Sequence, residues 1–168
     1  MPRLVTVALK SVSLYPMKLI NNTKGTSKIG HAVIVDPKDP QSFIYAPADS
    51  TNVLGVISES KPYRELCEIA TSGVAQVYVS GNTQKGSIIR SRKSNETVSA
   101  GACKVVSSSD TSYMKIGTAL EAGRGLVKCQ ILIQYFGGAG VGADDDNIDG
   151  GSAASVYLPD QSIDGGSA

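Results

Sequence analysis

Residues 126–136 read LVKCQILIQYF, which is the clearest strand pattern in this 168-residue chain. Five residues recur at every second position and therefore share one face of the strand: Val127, Cys129, Ile131, Ile133 and Tyr135. Lys128, Gln130 and Gln134 alternate to the opposite face, which we expect to be solvated or to contact a partner. The pattern predicts a half-buried β-strand.

Eight further segments have the same character, being rich in Val and Ile and separated by clusters of Gly, Asn, Asp, Pro or Ser. They cover residues 4–9, 29–35, 53–58, 66–71, 74–79, 87–90, 102–106 and 114–120. Turn signals about ten residues apart are typical of a barrel or sandwich, and no window shows uninterrupted helical periodicity. We therefore predict an all-β fold, either a small β-barrel or a β-sandwich.

A hydrophobic content of 41% is enough for one compact domain with a core. No run of about 18 apolar residues could span a membrane, and the start of the chain lacks the apolar stretch of a signal peptide. Three cysteines, Cys67, Cys103 and Cys129, cannot all pair within one chain, and each lies in a predicted strand. We expect buried free thiols and assembly in a reducing cytoplasm.

The composition changes abruptly after Phe136, where a Gly-rich stretch predicts a flexible linker. The sequence IDGGSA stands at 148–153 and again at 163–168, fifteen positions later, with VYLP at 156–159 between the copies. A short unit repeated at one period is typical of a displayed or stacked segment. We predict an all-β domain over residues 1–136, a linker over 137–147 and a repeat tail over 148–168.

Charge is divided between these parts of the chain. All 16 Lys and Arg residues lie at or before Lys128, and six of the 15 acids lie after it. Nine acids against sixteen bases leave the body at +7, whereas the tail carries −6. The pattern indicates a solvated surface with a soluble tail, or else a partner surface of opposite charge.

Signatures of catalysis are missing from the sequence. The single histidine, His31, has no strained nucleophile turn near it, so we interpret it as a structural or surface residue. Zinc is not expected, because the cysteines and the histidine show no close pairing. The Gly-rich run at 137–142 is not followed by a helix and lacks phosphate-loop spacing. We predict no catalytic residue and no cofactor, and a protein that is not an enzyme.

A calcium site is a weak candidate in the acidic run before the tail. Asp145, Asn147 and Asp149, followed by Gly150, match the first half of an EF-hand loop. The twelfth position holds Val156 where a bidentate Glu is required. The alternative is an acidic hinge that keeps the tail solvated.

Arg90, Arg92 and Lys93 form a basic cluster, but no aromatic residue lies near them to stack on bases. We therefore expect no nucleic-acid partner, and interpret the cluster as an exposed loop or a polar protein contact.

Short motifs around glycine follow one another in a definite order along the body. The series is G-x-A-V at 30–33, a segment at 46–49, VLGVI at 53–57, G-V-A-x-V-x-V at 73–79, Gly81, G-x-x-I at 86–89, I-G-x-A-L at 116–120 and L-V-x-C-x-I at 126–131. Over about residues 20–136 this order resembles the small β-rich capsid cement, or head-decoration, proteins of tailed bacteriophages. The tail resembles the repeats that end some phage head-fibre or virion-surface proteins.

The resemblance implies a barrel or sandwich that trimerises on the outer surface of the virion capsid after assembly in the host cytoplasm. Its partner would be the major capsid protein, and binding would stabilise the expanded shell. An N-terminal arm with Leu4, Val5 and Val7 would add to a capsid sheet by main-chain pairing.

The tail has its own expected contacts. Its apolar residues, Ile148, Tyr157, Leu158 and Ile163, are too few to form a core within one copy. We expect three tails to bury them together, or the tail to dock on a neighbour such as another head-surface or fibre protein.

Two alternatives remain open. A tail-fibre or receptor-binding accessory module would be expected to carry aromatic platforms, and the chain has no Trp, two Phe and seven Tyr. A trimeric all-β nucleotide hydrolase of the deoxyuridine triphosphatase type also ends in a Gly-rich arm. Such an arm needs a basic residue to neutralise phosphate, and this tail has no Lys or Arg.

Overall fold

A computed structural model describes residues 17–136, which form ten strands and no helix. This part of the chain therefore holds no helix long and apolar enough to cross a membrane. The strands are β1 (Met17–Asn21), β2 (Ala32–Asp36), β3 (Asp39–Tyr45), β4 (Gly55–Ile57), β5 (Leu66–Ala70), β6 (Ser72–Thr83), β7 (Ile88–Ser91), β8 (Cys103–Val105), β9 (Tyr113–Ala119) and β10 (Gly123–Phe136). The all-β prediction is confirmed.

The ten strands form two closed barrels of five strands each. The first barrel, residues 17–70, has the strand order β1-β3-β2-β4-β5, and the second, residues 72–136, has the order β10-β6-β8-β7-β9. Strand β5 ends at Ala70 and β6 begins at Ser72, so Thr71 alone connects the two barrels. The described residues thus contain two barrels, where the sequence pattern predicts one barrel or one sandwich.

Both barrels have the same topology. In each, the first strand is parallel to the third and antiparallel to the fifth. The second strand pairs with the third and fourth, and the fourth pairs with the fifth, all antiparallel. The second barrel therefore repeats the connectivity of the first, strand for strand.

The repeat extends to the pairing register. Val33 lies opposite Gly55 in the first barrel, as Ile89 lies opposite Gly117 in the second. On the outer surface, Leu66 lies opposite Ile20 and Leu126 lies opposite Tyr78 at the corresponding positions. Each residue of the first barrel's strands can therefore be compared with a structural equivalent in the second.

Two equivalent glycines allow the fourth and fifth strands to pack closely. A Cβ atom at Gly55 would collide with the carbonyl oxygen of Ala70, and one at Gly117 would collide with that of Gln130. Any other residue would force these strands apart, because a backbone oxygen has little freedom to move. The sequence motifs L-G-V and I-G-T therefore mark the same structural position in the two barrels.

The hydrophobic core has two parts. The first barrel encloses a small cluster of Val33, Phe43, Ile57, Cys67 and Ile69. The larger cluster joins the barrels, since it combines second-barrel residues such as Val77, Val127 and Cys129 with a set from the first. That set is Ala32, Ile34, Ala46, Val53, Val56 and Ala70. The two barrels therefore share one core cluster.

Strand β10 confirms most of the predicted face. Val127, Cys129 and Ile131 are buried and Ile133 is partly buried, but Tyr135 is 51% exposed. Pairing of β10 with β6 ends at Leu132, beyond which β10 has only β9 beside it. The alternation of apolar residues continues beyond Leu132, but these residues are no longer fully buried there.

Every predicted segment within the described residues overlaps one strand, whereas segment 4–9 lies outside them. The pattern does not predict β1 or β3. Strand β3 begins Asp39-Pro40-Gln41, a turn-like sequence that is tolerated because Pro occupies the start of the strand.

The three cysteines are buried free thiols, as expected. Burial raises the pKa of both Cys103 and Cys129 to about 12, so these thiols stay protonated at neutral pH.

Candidate partner-binding surfaces

The two barrels contact each other through the turn that precedes β2. Gly30, with a φ of 79°, presents its carbonyl oxygen to the backbone N–H of Tyr78 at 2.9 Å. A Cβ atom at Gly30 would lie 2.5 Å from that nitrogen and 2.8 Å from Cδ2 of Leu126. Only glycine can therefore seat this turn on the outer surface of β6 and β10.

His31 completes the contact. Its ring stacks on Tyr78 with centroids 4.7 Å apart and lies tilted against Tyr45 at 5.6 Å. Burial lowers the pKa of His31; its hydrogen bond to the Ile29 carbonyl opposes the shift, and the charge of Lys28 adds to it. The interpretation of His31 as a structural residue is confirmed, since its ring packs between the barrels.

A second turn reaches in the opposite direction. Gly101, between β7 and β8, accepts a hydrogen bond from the N–H of Ala32 at 2.7 Å and donates one to the carbonyl of Ala46 at 3.2 Å. Asp49 also bridges the barrels, since its carboxylate accepts a hydrogen bond from the N–H of Ser94. The barrels are therefore held by backbone bonds in both directions as well as by their shared core.

The second barrel carries a buried ionic cluster on strand β7. The guanidinium of Arg90 makes a bidentate pair with Glu96 at 2.6 and 3.0 Å and donates from Nε to Asp110 at 2.7 Å. Lys93 adds a 2.7 Å pair to Asp110, and Lys104 lies 3.8 Å from Glu96. This arrangement ties the loops on either side of β8 to the barrel wall.

Mutual pairing decides the ionisation of this cluster. Burial alone would raise the pKa of Asp110, but hydrogen bonds from Lys93, the N–H of Ser107 and Arg90 hold it well below its usual value. The pKa of Glu96 is likewise lowered, because bonds from Arg90 and the N–H of Lys93 outweigh the effect of burial. Both carboxylates are therefore charged at neutral pH.

The prediction of an exposed basic loop is wrong for Arg90, which is buried in strand β7. Its acidic partners lie six and twenty residues later, in loops, so local sequence gives no sign of the pairing. The equivalent residue of the first barrel is Ile34, which lies in the core cluster shared by both barrels. A comparison of the two repeats would have identified Arg90 as part of the barrel wall.

The outer side of β10 presents a row of side chains at every second position, here called the outer row: Leu126, Lys128, Gln130 and Leu132. Leu126 is 45% exposed and Leu132 is 53% exposed, while Gln130 lies between them. Aliphatic residues exposed beside polar side chains on the outside of a sheet occur in protein contacts. The prediction of a solvated or partner-facing side of this strand is confirmed as far as exposure goes.

A cavity of about 210 Å³ lies beside the ionic cluster, at the end of β10. Its walls include Asp49, Arg92, Lys93, Tyr113 and Tyr135. It is smaller than the roughly 300–1,000 Å³ of most small-molecule sites. Among residues 17–136, no three His, Cys, Asp or Glu side chains are placed to hold a metal ion.

The site residues predicted from sequence all lie outside the described residues. They are the arm residues Leu4, Val5 and Val7, the calcium candidates Asp145, Asn147 and Asp149, and the tail residues Ile148, Tyr157, Leu158 and Ile163. The same holds for the linker at 137–147 and the repeat tail at 148–168. These predictions stay predictions.

No protein-family model matches this chain, and no curated protein matches it.

Proposed function

We propose that this chain is a structural virion protein that decorates the outer surface of a tailed-phage capsid as a homotrimer. Its partner is the major capsid protein, and its role is to stabilise the expanded shell. The order of glycine-centred motifs along residues 30–131 supports the family, and the outer row of β10 is the single structural observation that carries the partner role.

The outer row offers an exposed aliphatic surface to a protein partner. Leu132 is more than half exposed, and its cross-strand neighbour is the small residue Ser72. Gln130 lies between Val74 and Thr118 on the neighbouring strands. Such a surface offers aliphatic burial and a hydrogen-bonding amide, together with one cation, Lys128, that can meet an acidic group of the partner.

Stabilisation follows from selective binding. A protein that contacts neighbouring capsid subunits only in the expanded arrangement shifts the equilibrium toward that arrangement by mass action. The N-terminal arm around Leu4, Val5 and Val7 would extend the contact with the capsid protein. The Gly-rich linker would allow the short tail either to project from the capsid or to dock on a neighbouring protein.

The test is binding of the purified full chain to empty expanded capsids and to their unexpanded precursors, measured by co-sedimentation. We expect binding to the expanded form only, and at least tenfold weaker binding for Leu132→Asp, a loss of about 1.4 kcal/mol. Val35→Asp is the matched control, because Val35 is an exposed aliphatic residue of the first barrel. A wild-type chain that ignores both capsid forms, or that hydrolyses a deoxynucleoside triphosphate, would rule out the proposal.

A further inference from the structure

The contact between the barrels has two halves, a turn and a surface. The turn is the one before the second strand of the first barrel, centred on Gly30. The surface is formed by the first and fifth strands of the second barrel, at Tyr78 and Leu126. Because the barrels repeat one topology, the chain contains a second copy of each half.

The second turn is centred on Gly86 and is built like the first. Gly86 has a φ of 89°, and its N–H bonds the Ala119 carbonyl at 2.8 Å. Gly30 has a φ of 79° and bonds the equivalent carbonyl of Ile57 at 2.8 Å. A Cβ atom at Gly86 would meet nothing within 4 Å, so the space occupied by Tyr78 and Leu126 at the first turn is empty here.

The second surface is formed by Ile20 and Leu66 on the first barrel. Their cross-strand pairing is the equivalent of Tyr78 with Leu126. Leu66 is 59% exposed, which makes it the most exposed large apolar residue of residues 17–136. This surface has nothing from the described part of the chain seated on it in the way that the Gly30 turn is seated on Leu126.

We propose that a second copy of this chain docks its Gly86 turn, residues 84–87, on the Ile20–Leu66 surface. The turn carries the exposed Lys85, and the surface is bordered by charges of both signs, the exposed Glu65 next to Leu66 and the exposed Arg64 and Lys18. The second copy is therefore assigned from the repeated turn and surface. The contact is head to tail, because a turn on one copy meets a different surface on the next. Interfaces of this kind close into rings, as a trimer requires, or extend into filaments.

The contact between copies is smaller than the contact within the chain. Ser87 and Ile20 occupy the positions of the stacked His31 and Tyr78, so the ring pair is not repeated. Pairing of β1 with β3 already includes Ile20, so this contact relies on side chains. Closure of a ring compensates for weak single contacts, since the last copy binds through two at once. This contact rests on the proposed function only for the expected number of copies in the ring, which is three.

Two variants test the two halves in the full chain. Leu66→Asp places a charge on the surface, and Gly86→Asn adds a side chain to the turn in open space, at a positive φ that Asn tolerates better than most residues. Leu132→Asp and Gly125→Asn are the matched controls. Leu132 is similarly exposed, and Gly125 has a φ of 79° with open space around it.

The measurement is solution mass by sedimentation velocity. We expect the wild type and both controls to associate, and each test variant to associate at least tenfold more weakly. An equimolar mixture of the two test variants should form no species larger than a dimer, because Leu66→Asp retains the turn and Gly86→Asn retains the surface, and one contact cannot close a ring.

Several results would overturn the contact. The first is a wild type that stays monomeric, which is also the result expected if residues 1–16 of the same chain cover Leu66. The second is association of either test variant as tight as that of the controls. The third is a mixture of the test variants that forms trimers or larger species. Wild-type monomers that still bind expanded capsids would refute this contact and leave the capsid role standing. Head-to-tail oligomers that ignore capsids would do the reverse.

Discussion

Single residues decide how the second barrel holds its loops, and Arg90 is central among them. Its guanidinium contacts two carboxylates that are largely withdrawn from water. Replacing Arg90 by Leu removes the bidentate partner of Glu96 and one of the two cations that pair with Asp110. A buried pair broken in this way costs about 3–5 kcal/mol. We expect that loss in the free energy of urea unfolding.

The exposed pair between Lys61 and Glu59 is the internal reference, because both side chains are more than a third exposed. Lys61→Met should cost less than about 1 kcal/mol. Equal losses for Lys61→Met and Arg90→Leu would show that burial does not strengthen the cluster.

The same carboxylates set the response to acid. The native state holds Asp110 and Glu96 charged at a pKa below the unfolded values of about 3.9 and 4.3. Their stabilisation is complete above those values and is lost as pH falls through the folded pKa values, because the unfolded chain then binds more protons. Stability measured below about pH 4 should therefore fall less steeply in Arg90→Leu than in the wild type.

Whether the environment of a residue could be predicted from the sequence depends on whether its contacts are local or distant along the chain. The buried cysteines and the alternating residues of β10 could be predicted, because burial there follows from local strand periodicity. Arg90 could not, because its acidic partners reach it from two loops.

At the level of elements, the Gly30 turn joins the barrels through an aromatic stack in which burial disfavours the charged form of the His31 imidazole. The pKa of His31 lies below its ordinary value of about 6.5, so the unfolded chain takes up a proton before the native one does. Stability should decrease as pH falls from about 6.5 toward the folded pKa.

His31→Phe keeps a ring against Tyr78 and removes the titration. We expect the variant to lose less stability than the wild type between pH 7 and 5, measured by urea unfolding at each pH. Identical pH profiles for the two proteins would contradict this role of the stack.

The elements themselves were predictable where Val and Ile alternate between glycine turns, which covers eight of the ten strands. Strands β1 and β3 were not, because β3 opens with turn-forming residues and the apolar Leu19 and Ile20 of β1 are adjacent and do not alternate with polar residues. Strands β1 and β3 pair with each other, β1 also pairs with β5, and β3 also pairs with β2. These long-range pairings position both strands, and local sequence patterns do not reveal them.

For the whole molecule, the shared core cluster predicts one cooperative unfolding transition. Val56 of the first barrel and Val77 of the second belong to the same cluster. Val56→Ala should destabilise by about 2 kcal/mol. Hydrogen exchange should accelerate equally at Ile69 in the first barrel and at Val127 in the second. Acceleration confined to the first barrel would mean that the barrels unfold separately.

The duplication was the least predictable property of the chain. Equivalent positions retain Gly30 with Gly86, Gly55 with Gly117, and Leu66 with Leu126, but few others are alike. One reason is that the equivalent outer walls have different surroundings. The first barrel's Ile34 joins the shared core, and its equivalent Arg90 is covered by charged loops.

The single-residue connection at Thr71 also has a consequence for synthesis on the ribosome. The first barrel has all its strands once Ala70 has emerged, but the second cannot close until β10 ends at Phe136. At roughly 5–20 residues per second, the intervening 66 residues take about 3–13 seconds. During that time Ala32, Ile34 and Val56 lack the neighbours that will cover them. The nascent chain is then open to chaperones and to the apolar surfaces of other nascent chains.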